Sequence, residues 1–228
     1  DKYIFCIGEK SSTEGLKTGL KGVFILVVNP EKNGLVDKNG TCSTSLSGIY
    51  SIIAPKDLFN FIAPIFPQKM VNIGFVYNSD ISAFAFSQFS QSCPEGFQIS
   101  SKDVRDKNNI LPAFNTMDAD IFIGLMDPMI YAPQTFPSIL QTCVLRRKGF
   151  IGYAPTQIKQ GALLALYCDY EDLGRQAAQI IMQTIKNDTS AKMYYPEKFK
   201  YAINLSIAKH LNIKFSEDTI KKAENVIS

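Results

Sequence analysis

The chain has 228 residues, 46% of them hydrophobic and 20% charged, with a formal net charge of +3. That length accommodates one large domain or two lobes of roughly 100 residues each, with an ordinary globular balance. The basic residues gather only at Arg146-Arg147-Lys148, which reads as a solvated helix end, so no nucleic-acid partner is expected. No apolar run nears the roughly 18 residues of a membrane span. The start at Asp1, directly ahead of an apolar run, reads as a mature chain whose leader has been removed.

In chain order, Tyr3–Ile7 is a short apolar strand and Gly8–Ser12 turns into a helix. Gly22–Val28 is a second buried strand ended by Asn29-Pro30. Glu31–Ser47, with two Asn-Gly pairs, is a loop, and an extended run resumes at Ser47–Tyr50. Lys56–Phe66 places Leu58, Phe61, Ile62 and Ile65 on one helical face, with Pro67 as its terminator. Val71–Tyr77 is a strand, Ser82–Ser90 a helix, Gly96–Ile99 a weak strand and Asn109–Met117 a helix. Asp120–Met126 is a strand, Ser138–Arg146 a helix, Gly149–Tyr153 and Leu163–Cys168 strands, and Glu171–Lys186 a helix. Continuous apolar runs, rather than alternating ones, predict parallel strands covered on both faces. The βαβ alternation predicts an α/β, doubly wound architecture, in which ligands bind beyond the carboxyl ends of the strands.

Five cysteines (Cys6, Cys42, Cys93, Cys143, Cys168) in odd number and without a CxxC pair form neither a zinc ribbon nor a disulfide framework. Cys6, Cys143 and Cys168 read as small buried hydrophobes, and one bridge among the five is left open. The single histidine, His210, excludes a histidine-rich metal site. With no GxSxG, GxGxxG or Walker loop, neither an enzyme activity nor a cofactor is expected.

Candidate binding residues lie at strand ends, and each has two readings. Asp127 either meets a ligand ammonium or caps the turn beside Pro128. Asp169 either faces a cleft or caps the following helix, whose first turn Glu171 and Asp172 also suit electrostatically. Ser11 and Ser12 either hold a ligand carboxylate with nearby backbone N–H groups or cap their own helix. Asn29, Asn78, Ser79 and Asp80 are turn residues with the same pair of readings. Tyr153, with Tyr50, Tyr77 and Phe84, is either an aromatic wall of a ligand site or core packing.

Several segments, in order and spacing, resemble one family. Phe24–Val36 (FILVVNPEKNGLV) resembles a strand followed by "DP…AGLV". Ser47-Gly48-Ile49 resembles "TGV", and Val71–Asn78 (VNIGFVYN) resembles "RIGVLYN". Ala119–Asp127 resembles "ADAIYVPTD". Gly161–Arg175 resembles "GALASLGVDYYELGRQ", and Ile203-Asn204-Leu205 with Ala208-Lys209 resembles "VINLKTAKALGL". The family is that of the solute-binding proteins of ABC importers, periplasmic-binding-protein-like, in the branch that includes binders of aromatic amino acids. The resemblance implies two doubly wound parallel-sheet lobes, residues 1–48 with about 162–193 and residues 49–161 with about 194–228. It also implies an extracytoplasmic protein that captures an amino acid-like solute in a cleft and presents it to a membrane permease. The chain departs from the family pattern at Asn29, where aspartate is usual before proline, and at Asp80–Ala83, where E-x-N-S is usual. The family's first two βα units have no counterpart, so the first lobe is expected to be reduced and Tyr3–Ile7 to lie at a sheet edge. A partner chain, a changed local topology or removed upstream sequence each accounts for that edge, and pairing as a homodimer is the expectation. The alternative function is a non-transport sensory or protein-interaction module, read by a membrane sensor.

Overall fold

A computed structural model describes residues 2–66, 70–187 and 189–228. In chain order the elements are β1 (Tyr3–Ile7), α1 (Gly8–Lys17), β2 (Lys21–Ile25), β3 (Leu46–Ile49), α2 (Pro55–Ile62), β4 (Val71–Tyr77), α3 (Ser79–Gln91), β5 (Phe97–Asp103) and α4 (Ile110–Thr116). They continue as β6 (Ile121–Ile123), α5 (Phe136–Leu145), β7 (Gly149–Gly152), α6 (Thr156–Lys159), β8 (Leu164–Tyr167), α7 (Tyr170–Asn187), β9 (Met193–Tyr194), β10 (Lys200–Asn204), α8 (Leu205–His210), α9 (Glu217–Lys222) and β11 (Asn225–Ile227).

These elements form two compact units, residues 1–54 with 168–199 and residues 55–167 with 200–228. Among the described residues the first unit holds a four-stranded sheet, β1-β2-β3-β9, and the second a seven-stranded sheet, β11-β10-β8-β7-β6-β4-β5. The protein is thus α/β with parallel-dominated sheets, the first smaller than the second. One pairing departs from the all-parallel expectation: β10 runs antiparallel to β8. The units change over six residues beyond each expected boundary, at 54/55, 167/168 and 199/200. At the middle changeover, β8 pairs with β7 and β10 and so belongs to the second sheet, not the first.

In the first unit α7 supplies the cover for one sheet face. Its apolar residues fall at Leu173, Ala177 and Ile180, spaced to form one stripe, and they pack on Val23, Ile25 and Ile49. Burial of each large aliphatic side chain contributes roughly 1.5–3 kcal/mol. The opposite face gathers Cys6, Phe24, Val27, Leu35 and Leu46. Alternation along β1 and its register with β2 (Phe5 opposite Val23, Ile7 opposite Ile25) put Phe5 and Ile7 on the α7 side. Both lie at the sheet edge and remain exposed, 42% and 56%.

Local departures have local causes. The strand expected over Gly22–Val28 stops at Ile25, because Leu26 takes a left-handed conformation, φ 59°. No helix joins β2 to β3. That connection is a loop pinned by Asp37, whose Oδ1 accepts the N–H groups of Asn39 and Thr41 at 2.8 and 2.9 Å. The expected helix over Lys56–Phe66 begins one residue earlier and tightens into a 3-10 turn at Ala63–Ile65, while Pro67, its expected terminator, lies outside the described residues. The weak strand at Gly96–Ile99 proves to be seven residues long, β5, at the sheet edge. All five cysteines are free thiols. Burial pushes the thiols of Cys143 and Cys168 up to about 12. Burial, reinforced by Asp37, pushes that of Cys42 up to about 11.

Packing between β1 and β2 is close at Gly22, where an added Cβ would overlap the Ile4 backbone carbonyl. Gly22→Ala is therefore expected to lower stability by about 1–3 kcal/mol, read as a fall in the urea midpoint with an unchanged slope.

Candidate functional site

In a doubly wound sheet the polar groups excluded from the core collect at the carboxyl ends of the strands. In the second unit, β4 ends at Tyr77 and β6 at Ile123, and the segments beyond them are joined by one carboxylate. Asp127 is 0% exposed. Its Oδ2 accepts the Asn78 N–H at 2.9 Å and the Ser82 hydroxyl at 2.6 Å. Its Oδ1 accepts the N–H groups of Met129 and Ile130 at 3.0 and 3.1 Å. The last two bonds, with Pro128 at the first position, cap the turn over residues 128–130. Of the two readings of Asp127, this geometry is that of the cap: the carboxylate is enclosed and accepts from four donors.

Asn78 is also buried and is fully engaged. Its Oδ1 accepts the Asp80 N–H at 2.8 Å, capping α3, and its Nδ2 meets Met129 Sδ at 2.8 Å. Asp80 sits exposed in the first turn of α3, where its charge suits the helix dipole. Beside it lies a cluster of which sequence reasoning singled out only Ser79, without Asp103 and Arg105. The Ser79 N–H and hydroxyl donate to the two oxygens of Asp103 at 2.9 and 2.7 Å, and Arg105 Nη2 donates to Ser79 Oγ at 2.7 Å. Partial burial raises the Asp103 pKa, but the donors from Ser79 and the Arg105 charge outweigh it, and its carboxyl lies below the ordinary value. Tyr153 follows β7, half-buried, with its ring edge-on to Tyr131 at 6.2 Å. Its backbone N–H donates to Gln157 Oε1 at 2.8 Å. Burial raises the Tyr153 phenol. Tyr131 in turn donates its hydroxyl to the Val76 carbonyl at 2.8 Å.

In the first unit Ser11 and Ser12 lie in the second turn of α1, Asn29 lies after β2 and Asp169 just before α7. Ser11 is exposed, whereas Ser12 is buried and returns its hydroxyl to the Gly8 carbonyl of its own helix at 2.7 Å. Asn29 is buried, and its Oδ1 accepts the Lys32 N–H at 3.0 Å. Asp169 is half-buried and begins α7: its Oδ1 accepts the Glu171 N–H at 2.8 Å and its carbonyl the Leu173 N–H at 3.0 Å. Of the eight predicted residues, the structure brings Asn78, Asp80 and Asp127 into one hydrogen-bonded group. In the first unit Ser11 and Ser12 lie within α1, Asn29 beyond β2 and Asp169 at the start of α7, and in the second Tyr153 lies near the Asp127 group through Tyr131. A further residue, Gln176 in α7, is buried and binds backbone of the segment after β9. Its signal was present: a glutamine on the apolar stripe of an amphipathic helix is out of place unless its amide is satisfied. Beside it an indentation of about 100 Å³ is lined by Asp172, Arg175, Gln179, Glu197 and Lys198 with Leu173.

The order of strand-end turns and the "LGRQ" helix in a two-unit parallel scaffold narrow the family. Residues 14–227 match the family model described as ABC transporter substrate binding protein. The chain belongs to that family. Solved structures of similar fold include an ABC domain from Streptococcus pneumonia in complex with L-Trp, 21% identical, with a TM-score of 0.70, covering 100% of this chain and 79% of that one. A conserved domain protein from Vibrio cholerae is 18% identical with a TM-score of 0.68, over 98% of this chain and 78% of that one. A ligand-free, open substrate binding protein with adhesive properties from Clostridium difficile is 16% identical with a TM-score of 0.71, over 99% and 78%. No curated protein matches the sequence. Among the described residues of this substrate-binding protein, no helix is long and apolar enough to cross a membrane.

Two outcomes follow from this geometry. Asp127→Ala strands buried donors, so unfolding in urea should show a loss of about 3 kcal/mol without any solute present. For Asp103 the depressed folded-state pKa means its contribution to stability is complete above the unfolded value of about 3.9 and is lost as pH falls through the lower folded value. Carbon-detected NMR titration should find the Asp103 midpoint below 3.9, rising toward it in Ser79→Ala and Arg105→Ala.

Proposed function

We propose that this protein is the extracytoplasmic solute-capturing component of an ABC importer, binding a small amino acid-like solute and delivering it, on closure of its two units, to a membrane permease. Membership of the substrate-binding family carries this reading. The chemistry of the segments after the strands supports it: each unit carries there carboxylates or hydroxyls suited to an ammonium or a carboxylate, and Tyr153 offers a ring suited to an apolar side chain. The proposed solute contacts are those with accessible surface, namely Ser11, Asp80, Tyr153 and Asp169. Ser12, Asn29, Asn78 and Asp127 are proposed to act beneath them by holding the turns in place. The family relationship also supports a binding role over an enzymatic one.

A second reading has its own observation. The uncharged edge strand β1, with Phe5 and Ile7 exposed, supports a protein-interaction or sensory module that self-associates through that strand. Because one structure of similar fold carries L-Trp, L-tryptophan heads the panel of L-amino acids to be tested by thermal shift and calorimetry. A true solute at a hundredfold excess over its Kd should add about 2.7 kcal/mol to stability. No shift with any member of the panel, together with a concentration-dependent dimer in sedimentation velocity, would favour the second reading over the first.

A further inference from the structure

The backbone passes between the two units after Ala54, Tyr167 and Phe199. The first and third of these segments leave the four-stranded sheet side by side. The Tyr50 N–H donates to the Tyr194 carbonyl at 2.9 Å, and the rings of Tyr50 and Tyr195 lie 4.7 Å apart. The Ser51 hydroxyl donates to the Val27 carbonyl at 3.0 Å, tying the first segment to the loop after β2.

The third segment is held differently, by a side chain of α7. Gln176 is 4% exposed. Its Nε2 donates to the Tyr195 carbonyl at 2.9 Å, and its Oε1 accepts the Glu197 N–H at 3.1 Å. A primary amide here reads the backbone as a neighbouring strand would, after β9 has ended at Tyr194. Next to it Lys198 Nζ approaches Asp172 Oδ1 at 3.7 Å, an exposed pair that adds little.

We propose that Gln176 is a positioning residue that sets where the third crossing bends. The amide holds the chain to the first unit as far as Glu197, and β10 begins at Lys200, so rotation of one unit against the other falls on residues 198–199. The use of this bend rests on the solute-capturing reading, whereas the clasp itself is a property of the first unit alone.

The test compares the full chain with Gln176→Met, which keeps the volume and removes both bonds, and with Gln179→Met on the exposed face of the same helix. Amide hydrogen exchange is followed at Glu197, with Val23 and Ile73 reporting on the two sheets. Distances between encoded spin labels at Lys38 and Lys107, one in each unit, are measured without solute. A failure to bind L-tryptophan then bears on the proposed function and not on the clasp. In Gln176→Met the Glu197 amide should exchange about 10-fold faster, the size expected for two lost hydrogen bonds opening locally. Val23 and Ile73 should be unchanged, the distance distribution should broaden, and Gln179→Met should match the parent. Unchanged exchange at Glu197, a uniform rise across the first unit, or faster exchange with an unaltered distance distribution would each overturn the proposal.

Discussion

A parallel strand buried on both faces tolerates a polar side chain only where it finds a hydrogen bond, as at Asn72 in β4 and Ser47 in β3, and most of this molecule's chemistry follows from that constraint. β2, β4 and β8 are almost wholly apolar, and their fully enclosed residues (Val23, Ile73, Phe75, Leu164) form the two cores. Polar groups are displaced to the turns after the strands. There they meet a second demand, since each following helix begins with backbone N–H groups that need acceptors. Asn78 and Asp169 answer that demand directly, and Asp127 caps the turn that follows its own loop.

Capping and ligand binding therefore compete for the same side chains. Asp127 shows one resolution: all of its hydrogen bonds go to its own chain, two to its local turn and two across to Asn78 and Ser82. It joins the ends of β4 and β6 and gives the strand-end surface a fixed floor. The residues above such floors keep accessible surface, and solute recognition is proposed for them. The Ser79-Asp103-Arg105 cluster is a third outcome, in which a strand-end acid is neutralised within its own unit.

The segment from Gly161 to Asn187 carries the most recognisable sequence pattern, and the structure divides it between two units. β8 belongs to the seven-stranded sheet, while Asp169 and α7 belong to the other. Within the "LGRQ" run, Leu173 is core, Arg175 pairs at the surface with Glu171, and Gln176 holds backbone across from the helix. The pattern is thus not one structural piece. It is a strand, a crossing, a cap and a packing helix, and its glutamine serves a different element from its leucine.

The sequence by itself determined the α/β class, the strand at Val71–Tyr77, a strand within Leu163–Cys168 and the apolar stripe of α7, because hydrophobic periodicity and continuous apolar runs are local properties of the chain. It also located the strand-end residues, since turn chemistry is local too. Tertiary structure alone decided which sheet β8 joins, the antiparallel turn of β10, and the length of the edge strand β5, because pairing depends on partners distant in sequence. It also decided whether each strand-end residue is enclosed or open. Asp80 and Asp127 look alike in the sequence, an acid in a turn after an apolar strand. One is exposed and the other sealed, because only the folded chain brings Asn78 and Ser82 within reach of the Asp127 carboxylate.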